Sequence, residues 1–129
     1  MKTLMKISFA VFLIFCIGSP VFAQAMSEKE YNQYLINSLE DKNIGIRTSA
    51  AQLLGERKVT EAVEPLIKML KSEKKYGARI MAALALHKIG DKRALPALKK
   101  VAKCDKCKSV RIVATGIIQA MESLEIAQR

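Results

Sequence analysis

The sequence predicts an all-α fold, a short right-handed α-solenoid of about three helix pairs, and a few plain observations predict it. The composition is helical: Ala, Leu, Ile, Lys and Glu dominate, with three Pro, six Gly, no Trp and 5% aromatic residues in a chain of 129. A motif recurs at a spacing of 32 residues, a period at which helical solenoids repeat. Within each half-period apolar residues fall at i, i+3, i+4 and i+7, without the alternation of a strand. Collagenous, Gly/Ser-rich disordered and strand-rich architectures are excluded, and the length suits one small domain.

Residues 1–25 stand apart from the rest. Lys2 and Lys6 flank the start of an apolar run from Ile7 to Ile17, followed by Gly18-Ser19-Pro20 and Val21-Phe22-Ala23-Gln24-Ala25. That order is a secretory signal peptide, with small residues suited to cleavage after Ala23 or Ala25. Its apolar core of 11 residues falls short of the ~20 that span a bilayer. Cys16 does not make it a lipoprotein signal, because Ile14-Phe15 stand where small residues are needed. The expected mature domain is 26–129, exported to an oxidising compartment, a bacterial periplasm or the medium.

Six helices are expected in that domain, near 28–40, 44–56, 61–72, 76–89, 92–103 and 108–126. Ser27-x-x-Glu30 is a capping box that opens the first. The second, fourth and sixth carry the recurring motif: Arg47-Thr-Ser-Ala50-Ala51-Gln-Leu-Leu54, Arg79-Ile-Met-Ala82-Ala83-Leu-Ala-Leu86 and Arg111-Ile-Val-Ala114-Thr115-Gly-Ile-Ile118. The third and fifth carry a different one, Val63-Glu-Pro65-Leu66-Ile67 and Ala94-Leu-Pro96-Ala97-Leu98. Thr60 and Asp91 suit N-caps, and Gly55 and Gly90 suit the turns that end the preceding helices. Pro65 and Pro96 lie about one turn inside their helices, where a missing N–H is expected to bend them. Tyr31, Leu35 and Leu39 of the first helix are expected to cover one end of the stack. Ile117, Ile118, Met121, Leu124 and Ile126 give the last helix an apolar face open to self-association or partner docking.

An acid stands six residues before each repeated Arg, giving Asp41/Arg47, Glu73/Arg79 and Asp105/Arg111. Stacked repeats set these residues beside one another as a structural ladder, for which the bidentate fork of Arg is suited. The residues resemble HEAT-like repeats, in particular the short type first described in phycobilisome lyases: an acid, then Arg, Ala-Ala and Leu-Gly, a short turn and a helix with Pro-Leu. The resemblance spans roughly 27–126. It implies a solenoid of HEAT-like helix pairs and, for function, a binding scaffold or, in a few members, a lyase subunit. Export argues against the lyase reading, which needs a pigment-handling pathway. Departures are His87 and Gln119 where the first unit has Gly55, and a third unit that lacks the Pro segment.

Chemistry is sparse in the mature chain. No base, nucleophile and carboxylate arrangement is legible, so no enzyme is expected. Cys104-Asp-Lys-Cys107 favours a local disulfide in an oxidising compartment. The alternative is thiol–disulfide exchange, with Lys103, Lys106, Lys108 and a helix N-terminus lowering a thiol pKa. A metal site wants about four ligands, and His87 is the sole histidine, so neither metal nor cofactor is expected; His87 itself reads as a helix-end residue.

Charge is the informative feature. The chain has 22 Lys+Arg and 12 Asp+Glu, and loss of 1–25 leaves 20 basic residues against the same 12 acids. Residues 71–111 hold 13 of those basic residues and only three acids. Repeat stacking sets Lys71, Lys74 and Lys75 beside Lys103, Lys106 and Lys108 as one basic ridge. Lys92, Arg93, Lys99 and Lys100 are expected to extend it over the Pro-bearing helices, the side that the family resemblance makes concave. The ridge suits an acidic protein surface, an anionic envelope lipid or a cell-envelope polymer. Nucleic acid is disfavoured by export and by the scarcity of aromatic residues for base stacking.

Overall fold

Ser27 closes the capping box expected of it: its hydroxyl accepts from the Glu30 N–H and its own N–H donates to Glu30 Oε2 at 2.8 Å. From there the computed structural model, which describes residues 26–128, runs through six α-helices: α1 Glu28–Ser38, α2 Ile44–Glu56, α3 Val63–Ser72, α4 Tyr76–Ile89, α5 Leu95–Cys104 and α6 Lys108–Ala127. The signal peptide expected at 1–25 lies outside the described residues.

Helices α3 and α5 start later than the periodicity suggests. Short 3-10 turns, Thr60–Ala62 and Lys92–Ala94, precede them. Pro65 and Pro96 therefore fall in the first turn of α3 and α5. An N–H there has no intrahelical acceptor to lose, so proline starts these helices rather than bending them. Asp91 does cap, accepting from the Arg93 N–H, whereas Thr60 lies inside its turn and donates to Glu61.

The two glycines expected at helix ends part ways. Gly90 has φ +74° and its N–H donates to the Leu86 carbonyl, a left-handed C-cap. Gly55 lies inside α2, and a Cβ there would meet Ala85 Cα at 2.8 Å. Its role is to let α4 approach. The left-handed residue ending α2 is Lys58, φ 52°; the N–H groups of Lys58 and Val59 donate to the Gly55 and Leu54 carbonyls, a Schellman ending in which Leu54 and Val59 are both buried.

Packing fixes the phase of the repeat. Each Pro-row helix packs on the Arg-bearing helix that follows it, α1 on α2, α3 on α4 and α5 on α6. The described residues thus form three hairpins, with α6 closing the third rather than opening a fourth. The Arg-bearing helices stack closely on one another, while α3 and α5 meet only marginally. Small residues explain the difference. Ala50, Ala51, Gly55, Ala78, Ala82, Ala83, Ala85 and Ala114 are all buried in that row, and small side chains allow close helix approach. The Pro-bearing helices are therefore the more widely spaced row. Between the rows lie the fully buried Leu54, Val63, Leu66, Leu70, Leu86, Leu98 and Val110. Burying such side chains stabilises the stack by about 1.5–3 kcal/mol each.

At the N-terminal end, α1 covers α2 only partly. Leu35 and Leu39 are buried and Tyr31 is half-buried, with the Arg57 guanidinium 5.1 Å from its ring centre. A cleft of about 350 Å³ stays open, lined by Tyr31, Tyr34, Leu35, Ile46, Ala50 and Leu53 among others.

Candidate functional site

Three tight turns, 39–43, 73–75 and 105–107, line one edge of the stack and bring most of the singled-out residues together. Glu73 and Asp105 are the C-cap residues of α3 and α5, both in extended conformation. Their carbonyls point toward the Arg of their own hairpin and their carboxylates toward the Arg of the preceding one. Arg79 Nη1 donates to the Glu73 and Lys74 carbonyls at 2.9 and 3.0 Å. Its Nε and Nη2 make a two-pronged contact with Asp105, 2.8 Å each. Arg47 repeats the arrangement on the Asp41 and Lys42 carbonyls and the Glu73 carboxylate. Each Arg therefore closes its own turn and ties it to the next hairpin. Bidentate, charge-assisted bonds of this kind are the strong ones.

The second of these rungs is the drier. Side-chain exposure is 4% for Arg79 and 8% for Asp105, against 19% and 10% for Arg47 and Glu73. A cleft of about 520 Å³ between α1 and α3 reaches Asp41, Arg47 and Glu73 and admits water to the first rung. The Arg79 guanidinium, followed by the Cys107 N–H, holds the Asp105 carboxyl below its ordinary range against the opposing effect of burial. Arg111 donates to the Asp105 carbonyl at 2.6 Å, and no described carboxylate pairs with it.

The ten basic residues separate into two groups. Lys74 and Lys75 with Lys71 at the end of α3, and Lys106 with Lys103 at the end of α5 and Lys108 at the start of α6, are exposed and form no ion pair among the described residues, and Lys100 on α5 is like them. Lys92 in the 3-10 turn before α5 and Lys99 in the middle of α5 instead reach Glu125 and Glu122 on α6, at 2.9 and 2.8 Å. Arg93 is held by Asp91 and donates to the Thr60 carbonyl. These three are paired with acids, so of the four cations expected to carry the ridge over the Pro-bearing row only Lys100 is unpaired among the described residues. Sequence reading missed the two α5–α6 pairs because their register depends on α6 running antiparallel beside α5, which repeat spacing does not encode.

Cys104 and Cys107 are both free thiols, so the expected staple between them is not formed. Cys104 is exposed at the end of α5, and Cys107 is half-buried as the N-cap of α6. The Val110 N–H, then that of Ser109, lower the Cys107 thiol below its ordinary value, while burial and the Asp105 carboxylate act the other way. His87 sits in the last turn of α4 as expected, half-buried, with Nδ1 buried and without a hydrogen-bond partner among the described residues.

Comparison with known proteins agrees with the repeat geometry. The family of HEAT repeats matches residues 32–121. The chain is 40% identical over 77 residues to phycocyanobilin lyase subunit alpha of Microchaete diplosiphon, a match covering 54% of this chain and 26% of that protein. It is 40% identical over 78 residues to the protein of the same name from Pseudanabaena tenuis, covering 54% and 29%. The chain spans less than a third of the length of these relatives. With the match extending from within α1 to within α6, across all three hairpins and both rungs, the chain belongs to the HEAT-repeat family.

Proposed function

We propose that this HEAT-repeat protein is a non-catalytic, exported scaffold that recognises an acidic protein partner through its turn edge. The family's repeats support a protein-interaction role; export rests on the order of residues 1–25. The observation that carries the reading is the contrast within its basic residues. Six lysines on or beside two adjacent turns are exposed and unpaired among the described residues, while Arg47, Arg79, Lys92, Arg93 and Lys99 are all matched to acids. Exposed cations carried by turns of fixed backbone attract a complementary acidic surface and speed its encounter. Rungs that fix the turn backbone leave the lysine side chains free to do so. An anionic envelope lipid or polymer offers the same charge, without the protein-interaction role that goes with the family.

The test is capture from an envelope extract by the purified protein at low and high salt. Capture of an acidic protein that is lost at high salt, and lost in a variant with Lys74, Lys75, Lys106 and Lys108 all changed to Glu, supports the reading. Capture untouched by that variant overturns it.

One observation favours a second reading, thiol–disulfide exchange through Cys104 and Cys107. The N–H groups that open α6 favour the thiolate of Cys107, and Cys104 is exposed nearby. This reading predicts a reduction potential among those of exchange catalysts, near −120 to −270 mV, rather than below about −300 mV as for structural disulfides. The lyase activity named for the relatives belongs to proteins more than three times as long as the matched segment. Nothing in the turn edge supplies an acid–base pair for it.

A further inference from the structure

The two ends of the stack are the two halves of one repeat junction, and we propose that a second copy of the chain joins them head to tail. At the C-terminal end Arg111 is already set in rung geometry. Its Nη1 donates to the carbonyl six residues upstream, as in Arg47 and Arg79, while its Nε and Nη2 have no described acceptor. At the N-terminal end Asp41 is set as the matching acid. Its Oδ1 accepts the Asn43 N–H at 2.7 Å, as Asp105 Oδ1 accepts the Cys107 N–H at 2.8 Å, and no described Arg side chain donates to its carboxylate; Arg47 bonds its carbonyl and acts on the carboxylate only through space. An arginine fork lacking a carboxylate and a carboxylate lacking a fork are complementary in charge and in direction.

The apolar faces agree with the rung. Ala51 and Leu54 of α2, and Ala83 and Leu86 of α4, are fully buried, but their counterparts on α6 are the exposed Thr115 and the half-buried Ile118. In the other direction, Ala78, Ala82 and Ala85 of α4 are buried beneath α2, whereas Ile46 in α2 is 43% exposed beside the open cleft with Tyr34 and Leu53. A junction made by Gln119 and Leu53 in place of Gly55 and Ala85 is wider. The α4–α6 junction already tolerates that, since His87 replaces Gly55 there and the Arg79–Asp105 rung still closes. The contact is heterologous, so it propagates along a filament rather than stopping at a two-fold dimer. The lysine turns stay exposed along one edge of it.

Sedimentation of the purified protein over a concentration series tests this. The weight-average mass of the unmodified protein is expected to climb beyond twice the monomer. D41R alone and R111D alone each set like charges against each other and weaken association by at least about tenfold. An equimolar mixture of the two restores it, because every junction then has one Arg and one Asp. The mixture separates this model from a folding defect; D41R stands as a second variant should loss of the Arg111 bond to its turn unsettle R111D. A protein that stays monomeric to submillimolar concentration, a mass that stops at twice the monomer, or a mixture no better than its components overturns the proposal.

Discussion

The α2–α4 and α4–α6 junctions are built on the same motif, yet they differ in two ways that run in opposite directions. The first is the closer contact between helices, through Gly55 against Ala85, and has the wetter rung; the second is the looser contact, with His87 in the place of Gly55, and has the drier rung. Helix proximity and rung burial are therefore independent. The rung is held by the turns, whose carbonyls and C-cap acids fix both partners, while helix spacing is set by the size of the residues in the seam. One motif thus performs two separable tasks.

Removing the drier rung has the largest expected effect. Arg79→Ala leaves Asp105 buried without its cation, which costs about 3–5 kcal/mol. Arg47→Ala removes a guanidinium that is 19% exposed and borders the cleft, against 4% for Arg79, and the loss is closer to the ~1.5–3 kcal/mol of a bond to a charged group. Urea unfolding of the two variants side by side measures the difference. Equal losses would break the comparison, by showing that the cleft does nothing for the first rung.

The seam is probed next. A Cβ at residue 55 would sit 2.8 Å from Ala85 Cα, backbone that cannot rotate away, so Gly55→Ala is expected to cost about 1–3 kcal/mol. Amide exchange sharpens the result. Protection should fall in the C-terminal halves of α2 and α4, where Gly55 meets Ala85, and hold in α5 and the C-terminal half of α6, since the second junction does not use this contact.

Acid gives a smaller, graded effect. Asp105 is held below its ordinary value in the folded protein, so the unfolded chain takes up its proton first as pH falls. The rung's contribution is present in full above the unfolded carboxylate value of ~3.9 and is lost as pH drops through the lower folded one. The unmodified protein should lose more stability below about pH 4 than Asp105→Asn, which has no proton to take up. Parallel curves would show that the rung is not the acid-sensitive element.

The fold was legible because the sequence states it three times. Arg47, Arg79 and Arg111, with their upstream acids, mark the period, and the Ala and Leu positions after them mark the buried face. The phase of the hairpins was not legible, because a repeat read from any starting point has the same period, and only packing shows that α3 belongs with α4. Gly55 and Gly90 look alike in sequence and differ in function, since one serves a neighbouring helix that no local signal reveals. The same limit applied to charge. Lys99 and Lys103 are indistinguishable as letters, and only the position of Glu122 on α6 neutralises the first and leaves the second free.

That division of the lysines gives the smallest expected change in stability and the clearest separation of roles. Changing Lys74, Lys75, Lys106 and Lys108 to Glu alters exposed side chains that pair with nothing among the described residues. Each such change is expected to shift stability by no more than about 0.5 kcal/mol. The reversed charges still repel one another across the adjacent turns, so the electrostatic part of the change is small and shrinks further with salt. A thermal melt that stays in place while salt-sensitive capture disappears would assign the rungs to the architecture and the lysines to recognition. A melt that falls by several degrees would instead mean that these lysines support the turns, and the two kinds of positive charge would no longer be separable in role.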